Sequence, residues 1–304
     1  MDWGVDVMKD KAASTFARLK NQAIELNITY QDCLQLFVQE EFLRKLSKSK
    51  YAENFVLKGG YFIYTLTVFA SRPTIDVDFL LQHLSTKAED IQTVIEDIVN
   101  IPTGNDFIKM TVKGFDEISA HRKYKGVSTQ IIAEIKKVKI PFSIDIGIGD
   151  VITPYAKSAV ISTQLDDFEK PEVRTYSIES VIAEKFDAII NRFELTSRMK
   201  DFHDIYYLSQ NFDFEGRILQ EALYETLNNR KTEYGSDSFT RICNLVNDDG
   251  IQKRWKAFLR KMPGIEADFV TVINEIQKFL EPVFNAIIDE EQFFLNWAAK
   301  AEWT

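Results

Sequence analysis

The stretch from Val56 to Leu81, VLKGGYFIYTLTVFASRPTIDVDFLL, decides the fold that the rest of the chain must adopt. It opens with an apolar run, turns at a pair of glycines, continues with helical apolar spacing and ends in the alternating run IDVDFLL. In that last run the apolar residues point to one face of a strand, whereas Asp76 and Asp78 point to the other. The stretch therefore predicts a strand, a turn, a helix and a second strand that carries two carboxylates on its polar face.

These carboxylates and glycines favour a site for metal and phosphate. Asp76 and Asp78 lie one strand period apart and repel each other, and a bridging divalent cation removes that conflict. Oxygen ligands of this kind suit Mg²⁺, which also binds substrate phosphates. Gly59 and Gly60 at the start of a helix allow backbone amides to approach an anion closely. Each feature alone is compatible with a simple turn or a solvated strand face, and it is their order that favours the functional interpretation.

A second alternating run, PFSIDIGIGD at residues 141–150, follows the same logic. Its apolar residues share one face, whereas Ser143, Asp145 and Gly147 share the other. Asp145 is therefore flanked by small residues and is a candidate third carboxylate for a two-metal site. A solvent-facing aspartate is the alternative interpretation, and Asp150 is interpreted as a turn residue.

A buried charge is expected in the helical part of the chain. Lys185 falls inside the apolar stripe of the predicted helix SIESVIAEKFDAIINRF, so its ammonium must reach water or find an anion. A nucleoside triphosphate is one such anion, and a structural ion pair is the alternative. In the next segment Asp201 falls on an apolar helix face and needs a partner, for which Arg198 and Lys185 are the candidates. His203 is interpreted as a surface or packing residue rather than a catalyst.

Composition limits the functional classes. The chain has 304 residues, 45% of them apolar, and a formal charge of −9 at pH 7, so any nucleic-acid contact must use local basic patches. Two such patches occur, at residues 121–139 and 251–261, and ordinary solvated faces are the alternative. Cys33 and Cys243 match no metal-ligand spacing. The sequence contains no signal peptide or long apolar run, which predicts a cytoplasmic protein without membrane contact.

Periodicity along the chain predicts an α+β fold. Two helices at 7–27 and 30–46 and a third at 87–99 surround the first strands, and strands at 107–118, 128–137 and 140–148 are expected to pair antiparallel. From residue 177 the pattern is helical to the end. We therefore expect a mixed-sheet domain with N-terminal helices over residues 1–160 and a helical domain over residues 175–304.

Five segments, taken together and in order, carry a family resemblance: VLKGG…SRPTIDVDF, YKGVSTQ, FSIDIGIGDVITP, ESVIAEKFDAIINR and NRFELTSRMKDFHDI. The sequence resembles the AbiEii/AbiGii-type toxins over residues 40–210. These are nucleotidyltransferases of the polymerase-beta-like superfamily in bacterial toxin–antitoxin and abortive-infection systems. The resemblance implies a nucleotidyltransferase-like mixed sheet, and a helical C-terminal domain that contributes Lys185 and Asp201 to the cleft.

The resemblance also implies roles for residues at matching positions. Asp76, Asp78 and Asp145 would bind Mg²⁺ or Mn²⁺. Lys185 would contact the triphosphate, and Asp201 matches the downstream acidic motif. The wider superfamily has Gly-Ser at the turn, whereas this chain has a second glycine. Backbone amides must therefore contribute more to phosphate binding, with help from cationic residues around the site, and the full set of expected phosphate-binding residues is Lys58, Gly59, Gly60, Arg72, Lys185 and Arg198.

The sequence as a whole predicts a metal-dependent nucleotidyltransferase, the toxin of a bacterial toxin–antitoxin or abortive-infection system. It would transfer a nucleotide from an NTP to an acceptor and release pyrophosphate. The 3′ end of tRNA is the hypothesis for the acceptor, through the basic patches, and a cognate antitoxin is the expected protein partner. The alternative is a non-catalytic module that binds nucleotide or antitoxin on the same fold.

Overall fold

The computed structural model describes residues 3–118, 126–262 and 265–304. The chain divides into two compact units. The first comprises Met1–Gly149 and Lys157–Thr175, and the second comprises Asp150–Ala156 and Tyr176–Thr304. The segment 157–175 belongs with the first unit because it is a hairpin whose second strand pairs with the strand at residues 55–58.

Among the described residues, the first unit forms a seven-stranded mixed sheet with helices. Its strands are β1 (Phe55–Lys58), β2 (Val77–Leu81), β3 (Ile108–Ile118), β4 (Gly126–Ile135), β5 (Val138–Ile148), β6 (Lys157–Val160) and β7 (Glu172–Thr175). Its helices are α1 (Trp3–Glu25), α2 (Tyr30–Ser47), α3 (Gly59–Leu66) and α4 (Ala88–Val99). The strand order is β3-β4-β5-β2-β1-β7-β6. The β3–β4 and β4–β5 pairs are antiparallel, as predicted, and β2–β5 is parallel. The predicted α+β fold is confirmed.

One face of the sheet is buried and carries the apolar residues that alternation predicted. Val77 and Phe79 of β2 and Ile144 and Ile146 of β5 are each at most 3% exposed. Helix α2 covers this face, and the ring of Phe42 lies 6.2 Å from that of Phe79. Because successive strand residues alternate between faces, the aspartates of β2 and β5 lie on the opposite face.

Helix α3 ends at Leu66, before its apolar run ends. Val68 and Phe69 have positive φ values of 51° and 64°. The left-handed conformation ends a helix, and it is unusual for a β-branched residue. The ring of Phe69 turns back onto Tyr64, with their centroids 5.1 Å apart, so aromatic packing accompanies the early helix end.

Helix α2 buries charged side chains in the first unit. Arg44 lies 3.0 Å from Glu41 and 3.4 Å from Glu40, and all three side chains are at most 1% exposed. The backbone N–H of Gln164 donates to Glu40 Oε1 at 2.9 Å. Burial nevertheless raises the pKa of Glu40 from 4.5 to about 7, against the opposing effects of Arg44 and of the hydrogen bonds from Gln164. The folded state therefore binds a proton at Glu40 more tightly than the unfolded state does.

This shift predicts a pH dependence of stability. The stabilisation that Glu40 contributes to the folded state is complete below pH 4.5 and is lost as the pH rises through about 7. We therefore expect the free energy of unfolding to fall by about 2–3 kcal/mol as the pH rises over that window. The variant Glu40→Gln cannot titrate at this position. Its free energy of unfolding, measured with urea across the same pH window, should therefore not show this fall. An equal slope in wild type and variant would contradict the assignment.

Among the described residues, the second unit is mainly helical. Its helices are α5 (Ile178–Ile190), α6 (Met199–Asn211), α7 (Gly216–Asn229), α8 (Ser238–Asn244), α9 (Asp249–Lys261) and α10 (Phe269–Ile288). Two short strands, β8 (Phe214–Glu215) and β9 (Asn296–Trp297), pair antiparallel. Within the described ranges, none of the helices in either unit combines the length and apolar character needed to cross a membrane.

The predicted helix to the end of the chain is wrong beyond Ile288. The last residues instead return to the helices through aromatic packing. The rings of Trp297 and Trp303 lie 4.9 Å and 5.8 Å from that of Phe279, and Trp303 Nε1 donates to the Phe279 carbonyl at 2.9 Å. The two tryptophans also contact each other, so tertiary contacts override helical propensity here.

Candidate active site

A row of polar side chains crosses five neighbouring strands of the first unit. In the strand registers Lys58 is opposite Asp78, and Asp78 is opposite Asp145 on the parallel strand β5. Asp145 is in turn opposite Ser128, which is opposite Asp116 on β3. Residues directly opposite each other share one face of a sheet. The structure thus brings Asp78 and Asp145 together, and Ser128 Oγ donates to Asp145 Oδ1 at 2.7 Å.

Asp76 lies just before β2 and is exposed. It precedes Asp78 by two residues, so in an extended chain both side chains point to the same side. The segment is attached to α2, because Gln39 Nε2 donates to the carbonyl of Ile75 at 2.7 Å. Helix α2 therefore both covers the buried face of the sheet and holds the backbone that leads into Asp76.

The two glycines of the turn leave room for two functional side chains. Gly59 has a φ of 71°, and a Cβ at this position would lie 2.4 Å from Asp78 Oδ2. A Cβ on Gly60 would lie 3.0 Å from Nη2 of Arg72, whose side chain is buried. Gly59 is therefore required both by its backbone conformation and by the approach of the Asp78 carboxylate. Arg72 lies beside the N-terminus of α3, where an anion is favoured.

The donor set at this site fits a hard divalent cation. Asp76, Asp78 and Asp145 offer carboxylate oxygens, the ligands that Mg²⁺ and Mn²⁺ prefer. Within the described part of the chain, no group of three or more His, Cys, Asp or Glu side chains is arranged to hold a metal ion. Mg²⁺ is commonly bound by one or two carboxylates and completes its coordination with water and substrate phosphates. The pair Asp78 and Asp145 is compatible with that mode of binding.

A cavity of about 290 Å³ opens beside these carboxylates. Apart from apolar groups, it is lined by polar side chains of α2 and of the strands β3, β4 and β5, together with two of the candidate metal ligands: Gln35, Asp76, Lys113, Gln130, Ser143 and Asp145. Gln35, Lys113 and Gln130 were not predicted as site residues, because each lies in a stretch with ordinary strand or helix periodicity.

Lys185, in the second unit, makes the ion pairs that the alternative interpretation predicted. Its Nζ lies 3.3 Å from Asp201 Oδ1 and 2.5 Å from Asp204 Oδ2. Arg198 Nε donates to the other oxygen of Asp201, and Arg198 Nη2 lies 3.4 Å from Oδ1. Two cations and two carboxylates thus balance within this cluster. His203 is buried and stacks on Tyr207 with ring centroids 6.1 Å apart, as expected of a packing residue.

A second buried charge cluster, which the sequence did not predict, lies around Arg230. Its guanidinium lies 2.8 Å from Asp150, 3.0 Å from Glu184 and 2.9 Å from Asp187. Burial acts to lower the pKa of Arg230, but the three carboxylates outweigh burial and raise it. The interpretation of Asp150 as a simple turn residue is therefore wrong. Asp150 and Arg230 are 80 residues apart, and no local pattern signals such a pair.

The first basic patch lies partly outside the described residues, whereas the second lies entirely within them. Residues 121–125 of the first patch lie outside the described residues, including Arg122, Lys123 and Lys125. The second patch is helix α9, whose buried residues are Ile251 and Trp255. Its basic residues are all exposed and point away from that buried side: Lys253, Arg254, Lys256, Arg260 and Lys261. Arg254 also donates to the carbonyls of Glu194 and Thr196, both at 3.0 Å.

The mixed sheet, with its glycine turn and in-register aspartates, defines a nucleotidyltransferase type of protein. The profile of the family described as "Nucleotidyl transferase AbiEii toxin, Type IV TA system" matches residues 41–289. Because this match covers most of the chain, the chain belongs to the AbiEii family of nucleotidyltransferase toxins, as the resemblance predicted.

Solved structures that are similar to this chain include two bacterial proteins. MenT4, a nucleotidyltransferase toxin from Mycobacterium tuberculosis H37Rv, matches with a TM-score of 0.53 and 14% identity over 91% of this chain and 99% of that chain. JHP933 from Helicobacter pylori matches with a TM-score of 0.48 and 13% identity over 86% of this chain and 95% of that chain. At such identities MenT4 supports the fold alone. A comparison with curated proteins finds no match.

The geometry at the turn predicts that the two glycines differ in their tolerance of alanine. Gly59→Ala should destabilise the protein by about 1–2 kcal/mol from its positive φ alone, and it should also displace the Asp78 carboxylate. Gly60→Ala has no such backbone strain and should only shift Arg72. Thermal unfolding of both variants tests this difference. Equal melting temperatures for Gly59→Ala and Gly60→Ala would contradict it.

The ion pairs predict that Lys185 is required for stability. Lys185→Met removes the ammonium group nearest to Asp204 and one of the two cations at Asp201. We expect a loss of about 3–5 kcal/mol, as for other broken buried ion pairs. The matched control is Lys278→Met, an exposed lysine on helix α10, which should change stability by less than about 0.5 kcal/mol. Denaturant unfolding measures both, and similar values for the two variants would exclude a structural role for Lys185.

Proposed function

We propose that this protein transfers a nucleotide from a nucleoside triphosphate to an acceptor hydroxyl, with Mg²⁺ or Mn²⁺ and with release of pyrophosphate. The observation that carries the proposal is the register of Asp78 with Asp145, beside a glycine turn that leaves space for the Asp78 carboxylate. A nuclease would also use paired carboxylates, but it needs no phosphate-binding turn. Arg72 at the N-terminus of α3 favours a bound triphosphate.

In the proposed reaction the acceptor oxygen forms a bond to the α-phosphorus. The bond from that phosphorus to the α,β-bridging oxygen breaks, and pyrophosphate leaves with the electron pair. The hydroxyl proton passes to Asp145 Oδ2, because Oδ1 already accepts from Ser128. A divalent cation held by the opposite pair Asp78 and Asp145, with Asp76 drawn in as a further ligand when the ion binds, would supply positive charge at the phosphate oxygens.

The phosphates need further cationic and backbone contacts. We assign the backbone amides of Gly59 and Gly60, together with Lys58 and Arg72, to the leaving pyrophosphate. From the second unit the family resemblance assigns Lys185, with Arg198. Lys185 has three ammonium protons, of which two point to Asp201 and Asp204. Asp201 would thus act by positioning both cations.

The proposed partners follow from the family and from the charge distribution. As a member of a type IV toxin–antitoxin family, the protein is expected to have a cognate antitoxin. We propose RNA, with the 3′ end of tRNA as the hypothesis, as the acceptor, because the exposed basic face of α9 is an exception on a chain of charge −9. The proposed site of action is the cytoplasm, where triphosphates and tRNA occur together.

Substitution of the row aspartates tests this function. Asp76→Ala and Asp78→Ala should abolish transfer, and Asp145→Asn should slow it about 10²–10⁴-fold, since it removes the proton acceptor. Each variant should melt at or above the temperature of the wild type, because removing one of two neighbouring like charges relieves repulsion. The matched control is Glu134→Gln, which lies on β4 outside the row and should retain full activity.

The measurement is incubation with each labelled triphosphate, divalent cation and total cellular RNA or protein, followed by separation of the labelled polymers. Full transfer by Asp78→Ala would contradict the metal assignment. Binding of triphosphate without any transfer by the wild type would favour the non-catalytic module instead. Thermal stabilisation by each triphosphate with Mg²⁺ separates that outcome from a failure to bind nucleotide.

A further inference from the structure

Strand β3 contains a bulge at Lys113. In the register with β4, Val112 is opposite Ile131 and Gly114 is opposite Gln130, so Lys113 is the extra residue between them. A bulge redirects a side chain and is common beside functional sites. Here the redirected residue lines the cavity next to Asp76 and Asp145. The bulge therefore brings an exposed cation from the edge of the sheet to the candidate active site.

This inference rests on the function proposed above. The position of the cavity relative to the row of Asp78 and Asp145 indicates which of the two substrates the cavity binds. The glycine turn and Arg72 accompany β1 and α3, on one side of Asp78. The cavity is lined mainly from β3, β4 and β5, which lie on the other side of β2 in the strand order, and its lining includes Asp145. Phosphoryl transfer requires the attacking and leaving oxygens to be roughly in line. If pyrophosphate leaves on the side of the turn, the attacking hydroxyl must enter from the side of the cavity.

Resting on the RNA acceptor proposed above, we propose that this cavity holds the end of the acceptor strand and that Lys113 binds the phosphodiester next to the reacting hydroxyl. The cavity volume of about 290 Å³ is at the lower end for a ligand site, which suits a chain end rather than a folded surface.

The lining favours RNA over a protein acceptor. A serine or tyrosine hydroxyl of a protein brings no phosphate for Lys113, whereas every nucleotide of RNA does. The amides of Gln35 and Gln130 each offer donors and an acceptor, which suits the exposed base edges of a single-stranded end. Ser143 adds a hydroxyl next to Asp145. The pocket thus combines one phosphate contact with several groups that can bind a base.

The test compares Lys113→Gln with Lys109→Gln. Both lysines are exposed and lie on β3, but only Lys113 lines the cavity, so the pair is matched for folding and net charge. Binding of a short 5′-labelled single-stranded RNA with a free 3′-hydroxyl is measured by fluorescence anisotropy over a range of salt concentrations. We expect Lys113→Gln to weaken RNA binding about tenfold. Its salt slope should fall by about one, whereas Lys109→Gln should match the wild type.

The same variants are assayed for transfer to this RNA and for triphosphate binding. Lys113→Gln should raise KM for RNA and leave the triphosphate Kd unchanged. Equal behaviour of the two lysine variants, or label on protein rather than on RNA, would overturn the acceptor assignment while the proposed transfer stands. A wild type that binds no triphosphate and labels no polymer would contradict the proposed function itself, and the acceptor assignment would fall with it.

Discussion

The structure of the first unit depends on how it accommodates the repulsion between two carboxylates. Asp78 and Asp145 are held directly opposite each other on adjacent parallel strands. Like charges in that position are destabilising, so the surrounding residues must offset the repulsion. Lys58 completes the row on one side and Ser128 donates to Asp145 on the other. The backbone hydrogen bonds of the sheet fix the two strands, and the carboxylates cannot move apart without breaking the register.

Helix α2 stabilises the sheet against the repulsion between Asp78 and Asp145. Its apolar side buries Phe42 against the opposite face of β2, and Gln39 holds the carbonyl of Ile75 just before the first aspartate. The same helix carries Glu40 and Arg44 into the interior, where Gln164 and the carbonyl of Glu169 bind them. These contacts join α2 to the segment between β6 and β7. The helix therefore holds the sheet from its buried side, opposite the face that carries Asp78 and Asp145.

Local periodicity explains how much of this was predictable. Alternation in IDVDFLL and FSIDIGI predicted the faces of β2 and β5 correctly, because the two-residue period of a strand is visible in neighbouring residues. The helical stripe around Lys185 likewise required a partner, and the structure supplies Asp201. The pairing of Glu40 with Gln164 spans 124 residues and leaves no periodic signal. The bulge at Lys113 was also beyond prediction, since it depends on the register between two strands rather than on either strand alone.

Surroundings distinguish the two buried charge clusters of the second unit from the row of Asp78 and Asp145. Around Lys185 two cations meet two carboxylates, all with largely or partly buried side chains, and the cluster is neutral. Around Arg230 the carboxylates outnumber the cation, but Thr232 and Asn191 donate to Asp187 in the buried interior. In the row, Asp145 borders a cavity rather than packed side chains. The cation proposed for this row would therefore have space to reach the carboxylates and reduce their repulsion, which water screens incompletely at short range.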